Sequence, residues 1–228
     1  MIQNAHNAYN SGDFKTAFEL YETLATNSNA DAQASLAYMY QNAQGCERDD
    51  AKALSLYEMA AAQQQPYALF NLGILYANGI GGVAHDQFKA FEYYLKAAER
   101  EIPNAMYEAA LMLEHGLGCV QNYSEAAFWY EEAAKRGHIE AFNNLGVLYK
   151  EGHGVHQDFS RAFICFKRAS DGGLITGHFN LGLMYDQGLG CEEDHDMALE
   201  YCRKAAYGGH EKAKAIIASL QQEGKIVF

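Results

Sequence analysis

Apolar and polar positions along the chain follow a helical rhythm that restarts every 36 residues or so. In the stretch beginning at Ile139, the residues Ala141, Leu145 and Tyr149 stand at i, i+4 and i+8, so they share one helix face. The same places are filled by Ala32, Leu36 and Tyr40, by Ala68, Leu72 and Tyr76, by Ala105, Ala109 and Leu113, and by Gly177, Leu181 and Tyr185. This face is the expected core of a first helix. The next residue is small each time: Ala37, Gly73, Ala110, Gly146 or Gly182. A glycine inside a helix costs up to about 1 kcal/mol, so its return in one column predicts close approach by a paired helix.

Glycines then punctuate the chain. Gly79, Gly116, Gly152 and Gly188 fall where a left-handed cap ends a helix, and Gly45, Gly81, Gly118, Gly154 and Gly190 turn the chain after it. Asp13, Asp49, Asp86, Asn122, Asp158 and Asp194 come next, and their side-chain oxygens suit the N-cap of a second helix. That helix carries Ala53, Ala90, Ala126, Ala162 and Ala198 four residues on. It then carries a ring column (Tyr21, Tyr57, Tyr94, Tyr130, Phe166, with Cys202 in the last unit), followed by small pairs from Ala60-Ala61 to Ala205-Ala206. Units begin at Ala30, Pro66, Pro103, Ile139 and Ile175, and the unit from Pro66 has one extra residue, placed at Gly82. A helix–loop–helix hairpin stacked five or six times is predicted. Repeats with a period of about 20–50 residues make solenoids, which offer a continuous surface rather than a pocket.

The run Ala-x-x-x-Leu-Gly-x-x-Tyr-x-x-Gly-x-Gly-Val/Cys-x-x-Asp-x-x-x-Ala, ending in Ala-Ala, resembles the Sel1-like repeat, a relative of the tetratricopeptide repeat. The resemblance covers residues 30–210. It implies an all-α fold, a right-handed α/α superhelix of about five Sel1-like repeats with capping helices at both ends. The expected layout is a single solenoid domain over 1–228: a tetratricopeptide-like unit at 1–29, repeats at 30–65, 66–102, 103–138, 139–174 and 175–210, and a capping helix and tail at 211–228. The tail Lys225–Phe228 is expected to dock on the last repeat or fray. Ala43 in place of the first glycine, and Ala109-Ala110 in place of Leu-Gly, are expected to alter local packing without changing the architecture.

The net charge of -12 disfavours nucleic acid, which needs a basic stripe, and anionic membrane surfaces. No apolar run reaches the ~18–20 residues of a membrane span, and the first residues do not read as a secretory leader. The expected compartment is the cytoplasm, or the periplasm or exterior if a leader has been removed. Five cysteines are present. Cys46, Cys119 and Cys191 share a column with Val83 and Val155, so they read as small hydrophobes. At roughly 10 Å from one unit to the next they are too far apart for disulfides, which need Cα atoms within ~7 Å. Cys165 and Cys202, on adjacent second helices, leave one bond open. There is no C-x-x-C and the nine histidines are scattered, so no metal and no cofactor are expected. Cysteine-rich relatives carry a regular cysteine pair in every repeat. That pairing is absent here, which favours a reducing compartment and weakens the analogy with the penicillin-binding activity of those relatives.

A second stripe runs along the first helices: Glu140, Asn143, Asn144, Val147 and Glu151 in the unit from Ile139. By resemblance to tetratricopeptide proteins it lines a concave groove. One column reads Ser35, Asn71, Glu108, Asn144, Asn180, and the other Ala34, Phe70, Tyr107, Asn143, Phe179. Asparagine offers both a donor and an acceptor and can hold the backbone of an extended peptide, while the rings are apolar anchors. The alternative is that the asparagines bond neighbouring backbone and the rings pack under adjacent units. Glu108, Glu114, Glu140, Glu151 and Asp186 would make the groove acidic and suit a basic partner. The expected function is a non-enzymatic, monomeric scaffold that binds a protein or extended peptide through Phe70, Asn71, Tyr107, Glu108, Asn143, Asn144, Val147, Phe179 and Asn180. Rival readings are a β-lactam-binding or weakly hydrolysing protein, a regulator or chaperone of one partner, and a self-associating module. No Ser-x-x-Lys, nucleophile elbow or His-Glu-x-x-His supports an enzyme.

Overall fold

A computed structural model describes residues 1–223, and the tail considered above lies outside the described residues. Among the described residues there are thirteen helices and no strand. An opening hairpin pairs α1 (Ile2–Asn10) with α2 (Phe14–Thr26). Then follow α3 (Ala30–Gln41) with α4 (Asp50–Ala62), α5 (Pro66–Asn78) with α6 (Gln87–Ala98), then α7 (Pro103–His115) and, beyond a boundary at Gln121, α8 (Tyr123–Lys135). The series continues with α9 (Ile139–Glu151) and α10 (Phe159–Asp171), α11 (Ile175–Gln187) and α12 (His195–Tyr207), and ends at α13 (Glu211–Gln222). Packing groups these helices into two compact units, Met1–Gln121 and Asn122–Phe228.

The capping residues act as their spacing predicts. Asp13, Asp49, Asp86, Asn122, Asp158 and Asp194 each accept a hydrogen bond from the backbone N–H three residues on, and so start α2, α4, α6, α8, α10 and α12. Each such cap stabilises its helix by about 1 kcal/mol. Gly79, Gly116, Gly152 and Gly188 end α5, α7, α9 and α11 in the left-handed conformation. Ala43 takes φ 53 at the corresponding turn, so the turn survives loss of its glycine at the expense of backbone strain.

The core follows the columns except at the end of the first-helix face, where Tyr40, Tyr76 and Tyr185 are half-buried and Met39, Leu75 and Met184, one residue earlier, are buried instead. Tyr21, Tyr57, Tyr94, Tyr130 and Phe166 are all at most 4% exposed. The small column on the first helices makes room for these rings. A Cβ on Gly73 would lie 2.5 Å from the Tyr94 ring, and one on Gly146 would lie 2.8 Å from Phe166. Where Cys202 replaces the ring, the α12 backbone approaches instead, with the Ala198 carbonyl 3.1 Å from a Cβ on Gly182. The second loop glycine is pressed against the preceding hairpin. A Cβ on Gly45, Gly118, Gly154 or Gly190 would collide with backbone at the start of α2, α6, α8 or α10, respectively. Gly81, beside the inserted Gly82, makes no such contact and faces the Leu75 side chain.

The cysteine column does more than fill space. Cys46, Cys119 and Cys191 donate Sγ–H to the carbonyls of Met39, Met112 and Met184 at 3.6, 3.4 and 3.6 Å, a bond valine cannot make. All five cysteines are free, with Cys165 and Cys202 buried. Burial pushes the Cys165 thiol up to about 12, which leaves it without reactive thiolate.

Candidate functional site

The polar column on the first helices has a partner that its own stripe does not reveal. Asn144 on α9 donates through Nδ2 to the buried Tyr130 hydroxyl of α8 at 3.1 Å. The pairing is particular to this place: fourteen positions after Tyr57, Asn71 bonds the Tyr67 carbonyl, while the Tyr57 hydroxyl donates to Gln41 Oε1 at 3.1 Å. Phe166 has no hydroxyl to offer, and Asn180 on α11 turns instead to Asn143 Oδ1 at 2.8 Å. Asn143 in turn donates to Asn144 Oδ1 at 3.3 Å. Asn143, Asn144 and Asn180 therefore form one network within the Asn122–Phe228 unit. Both readings of these asparagines in sequence, as peptide clamps or as backbone partners, overlooked this use. The available signal was the change from Tyr130 to Phe166 in the ring column.

In the Met1–Gln121 unit the same face is open. A cavity of 360 Å³ lies among α1, α2, α3 and α5, walled by Tyr9, Tyr21, Tyr38, Tyr67 and Phe70, with Ser35, Gln65 and Asn71 as polar groups. Tyr38 and Tyr67 are 42% and 61% exposed, unusually accessible for rings of a helical core. Asn71 Nδ2 donates back to the Tyr67 carbonyl at 2.8 Å, which leaves its Oδ1 as an acceptor. Tyr9 donates to Gln44 Oε1 at 2.8 Å. The sequence picked out Phe70 and Asn71 but not Tyr9, Tyr38 or Tyr67. Tyr38 and Tyr67 lie one turn from Ala34 and Asn71, so extending the stripe by four residues in each direction reaches both.

Phe70 packs its other side on Tyr94, ring centroids 5.7 Å apart. Glu108, half-buried on α7, bears on that tyrosine and helps to raise its ionisation after burial itself. Burial pushes the Glu108 carboxyl above the usual carboxylate range, and among the described residues no hydrogen bond or cation offsets the shift. Tyr107 beside it is half-buried. In the other unit, Val147 is half-buried on α9, and Phe179 stacks on His210 at 4.1 Å. Phe179 also edges a 510 Å³ cavity with Leu183, Leu199, Ile216 and Leu220, beside Asp186 and His195. Among the described residues no group of three or more His, Cys, Asp or Glu could hold a metal ion. No described helix is long and apolar enough to cross a membrane.

Comparison with known proteins agrees with the repeat architecture. The profile of the Sel1 repeat matches residues 30–64, 66–101, 103–138, 139–174 and 175–210. The chain belongs to the Sel1 repeat family. A Sel1 repeat protein from Oxalobacter formigenes is similar at 28% identity and TM-score 0.88, over 98% of this chain and 88% of its own. The protective antigen c5321 of uropathogenic Escherichia coli is similar at 30% identity and TM-score 0.84 over 91% of this chain, which spans only 44% of that antigen. A putative Sel1 repeat protein from Klebsiella pneumoniae, at 22% identity and TM-score 0.51, shares the fold. Sel1 repeat proteins generally mediate protein–protein interaction, and their solenoid is generally a non-catalytic scaffold.

Proposed function

We propose that this Sel1 repeat protein is a non-enzymatic scaffold that binds an extended peptide or protein segment on the face of its first helices. The supporting observation is the ring-walled cavity beside Phe70 and Asn71, with Tyr38 and Tyr67 left exposed at its mouth. Exposed aromatic rings beside a concavity are typical binding anchors, because they bury large area with little loss of rotamer freedom. Tyr107 and Glu108 extend the same face along α7. In the other unit, Val147 and Phe179 are the apolar residues of that unit's own first-helix face. Asn143, Asn144 and Asn180 support the face through their mutual bonds and meet a partner only at its edge.

The test is selection of a displayed peptide library on the full chain, repeated with Tyr67→Ala/Phe70→Ala. Truncating two anchor rings should weaken the selected peptides by about 100-fold; because Phe70 also packs on Tyr94 the thermal midpoint falls too, and affinity is measured well below the variant's midpoint. Unchanged affinity in a folded double variant would place binding elsewhere.

A further inference from the structure

Beyond the existence of a docking face lies the question of what chemistry it selects. The helices that build it in the first unit, α1, α3, α5 and α7, contain no lysine or arginine at all. Residues 1–121 carry 14 Asp and Glu against 6 Lys and Arg, and those six basic side chains all lie on α2, α4, α6 or loops. What the face does present is π surface from Tyr38, Tyr67 and Phe70, the Asn71 Oδ1 acceptor, and one step along it the half-buried Glu108 carboxyl, which has no counter-charge. Acceptors, rings and an uncompensated acid, with no resident cation in competition, are complementary to a guanidinium. Arginine stacks on aromatic faces while its N–H groups reach acceptors at the rim, which a compact ammonium does less well.

We infer that the partner is an extended segment with two arginines, one laid over Tyr67 and Tyr38 in the cavity and the second at Glu108. This rests on the docking face proposed above. The cavity lies between α3 and α5 and Glu108 stands on α7, about one and a half helix intervals of roughly 10 Å away, and an extended chain advances about 3.3 Å per residue, so the two arginines are about four or five residues apart. The net acidic charge draws the segment in from solution. The first arginine is held by stacking and the Asn71 acceptor, and the second by charge.

The probe is a set of acetylated, amidated Ser/Ala dodecapeptides with two arginines spaced three to six residues apart, titrated into the full chain by calorimetry. Each peptide has counterparts in which citrulline, lysine or leucine replaces the arginines. Citrulline keeps the shape of arginine and removes only its charge. The tightest arginine peptide should exceed its citrulline counterpart by about tenfold or more, and weaken as salt rises. Glu108→Gln should weaken the two-arginine peptide several-fold, and leave unchanged a peptide whose second arginine is already citrulline. An arginine peptide no tighter than its citrulline counterpart overturns the inference, and that comparison needs no protein variant. Leucine peptides that bind best and still depend on Tyr67 would overturn the arginine assignment while keeping the docking face. If no peptide depends on Tyr67, both fall.

Discussion

The two units use the same repeat to opposite ends on their first-helix faces. In Asn122–Phe228 the polar column turns inward: Asn144 donates to Tyr130, Asn180 donates to Asn143, and Asn143 donates to Asn144. In Met1–Gln121 the column opens on a cavity with exposed tyrosines, and Glu108 stands where the second unit has a bonded asparagine. The loops differ too. At the left-handed residue that links each hairpin to the next, the first unit has Ser28, Gln64 and Glu101, whereas the second has Gly137, Gly173 and Gly209. One unit relaxes its backbone at these turns and ties its asparagines together. The other keeps strain at them and, among the described residues, leaves Glu108 without a bonded partner, as binding surfaces commonly do.

The largest expected effects lie where the two units agree. Gly118→Ala and Gly154→Ala each force a Cβ into neighbouring backbone at positive φ. Each should destabilise by about 3 kcal/mol or more in urea unfolding. Gly82→Ala, with nothing within 4 Å, should lose only about 1 kcal/mol. Equal losses for Gly82 and Gly118 would show that φ alone matters and that loop docking does not.

Next in size are the polar columns. Tyr130→Phe strands the Asn144 amide and should cost about 1–2 kcal/mol, whereas Tyr94→Phe, whose hydroxyl faces an acid that burial already disfavours, should cost less. An equal loss at both sites would erase the distinction between a closed and an open column.

Glu108→Gln tests the pH dependence. Burial raises the folded carboxyl above its unfolded value near 4.5. The stability it contributes is therefore complete below that pH and lost as pH rises through the folded value. The variant should be more stable than wild type at pH 7 and gain nothing at pH 4 in parallel thermal melts, yet bind the arginine peptides less well. Gains at both pH values would mean that charge at Glu108 is not the cause.

The smallest effect concerns the linkers. Gln64→Gly and Glu101→Gly remove left-handed strain at exposed sites and should change stability by no more than about 1 kcal/mol, with strain relief set against added chain entropy. Gly173→Ala should destabilise by a similar amount. A loss of several kcal/mol at Gln64 would mean that its side-chain bond to Arg100 at 3.2 Å matters more than the backbone.

The 36-residue period made the caps, the turns and the core readable, because each is fixed by local chemistry that recurs at one spacing. Asp49 caps α4 and Gly79 ends α5 for reasons contained within a few residues. The candidate site was half legible. Phe70 and Asn71 stand out in their columns, but the fate of Asn144 depends on a hydroxyl on a different helix, and that of Asn180 on the absence of one. The cavity itself depends on how α1, α3 and α5 converge, which no single stripe encodes. The thiol caps at Cys46, Cys119 and Cys191 were hidden for the same reason: a loop returns to a carbonyl seven residues back.

The most direct measurement is a backbone-amide and aromatic chemical-shift map of the full chain titrated with the tightest two-arginine dodecapeptide. The account predicts shifts concentrated at Tyr38, Tyr67, Phe70, Asn71 and Glu108, with Asn143, Asn144 and Asn180 unmoved. Shifts centred on the asparagine network, or on the exposed second-helix side chains Phe128 and Ile164, with Tyr38 and Tyr67 silent, would contradict it.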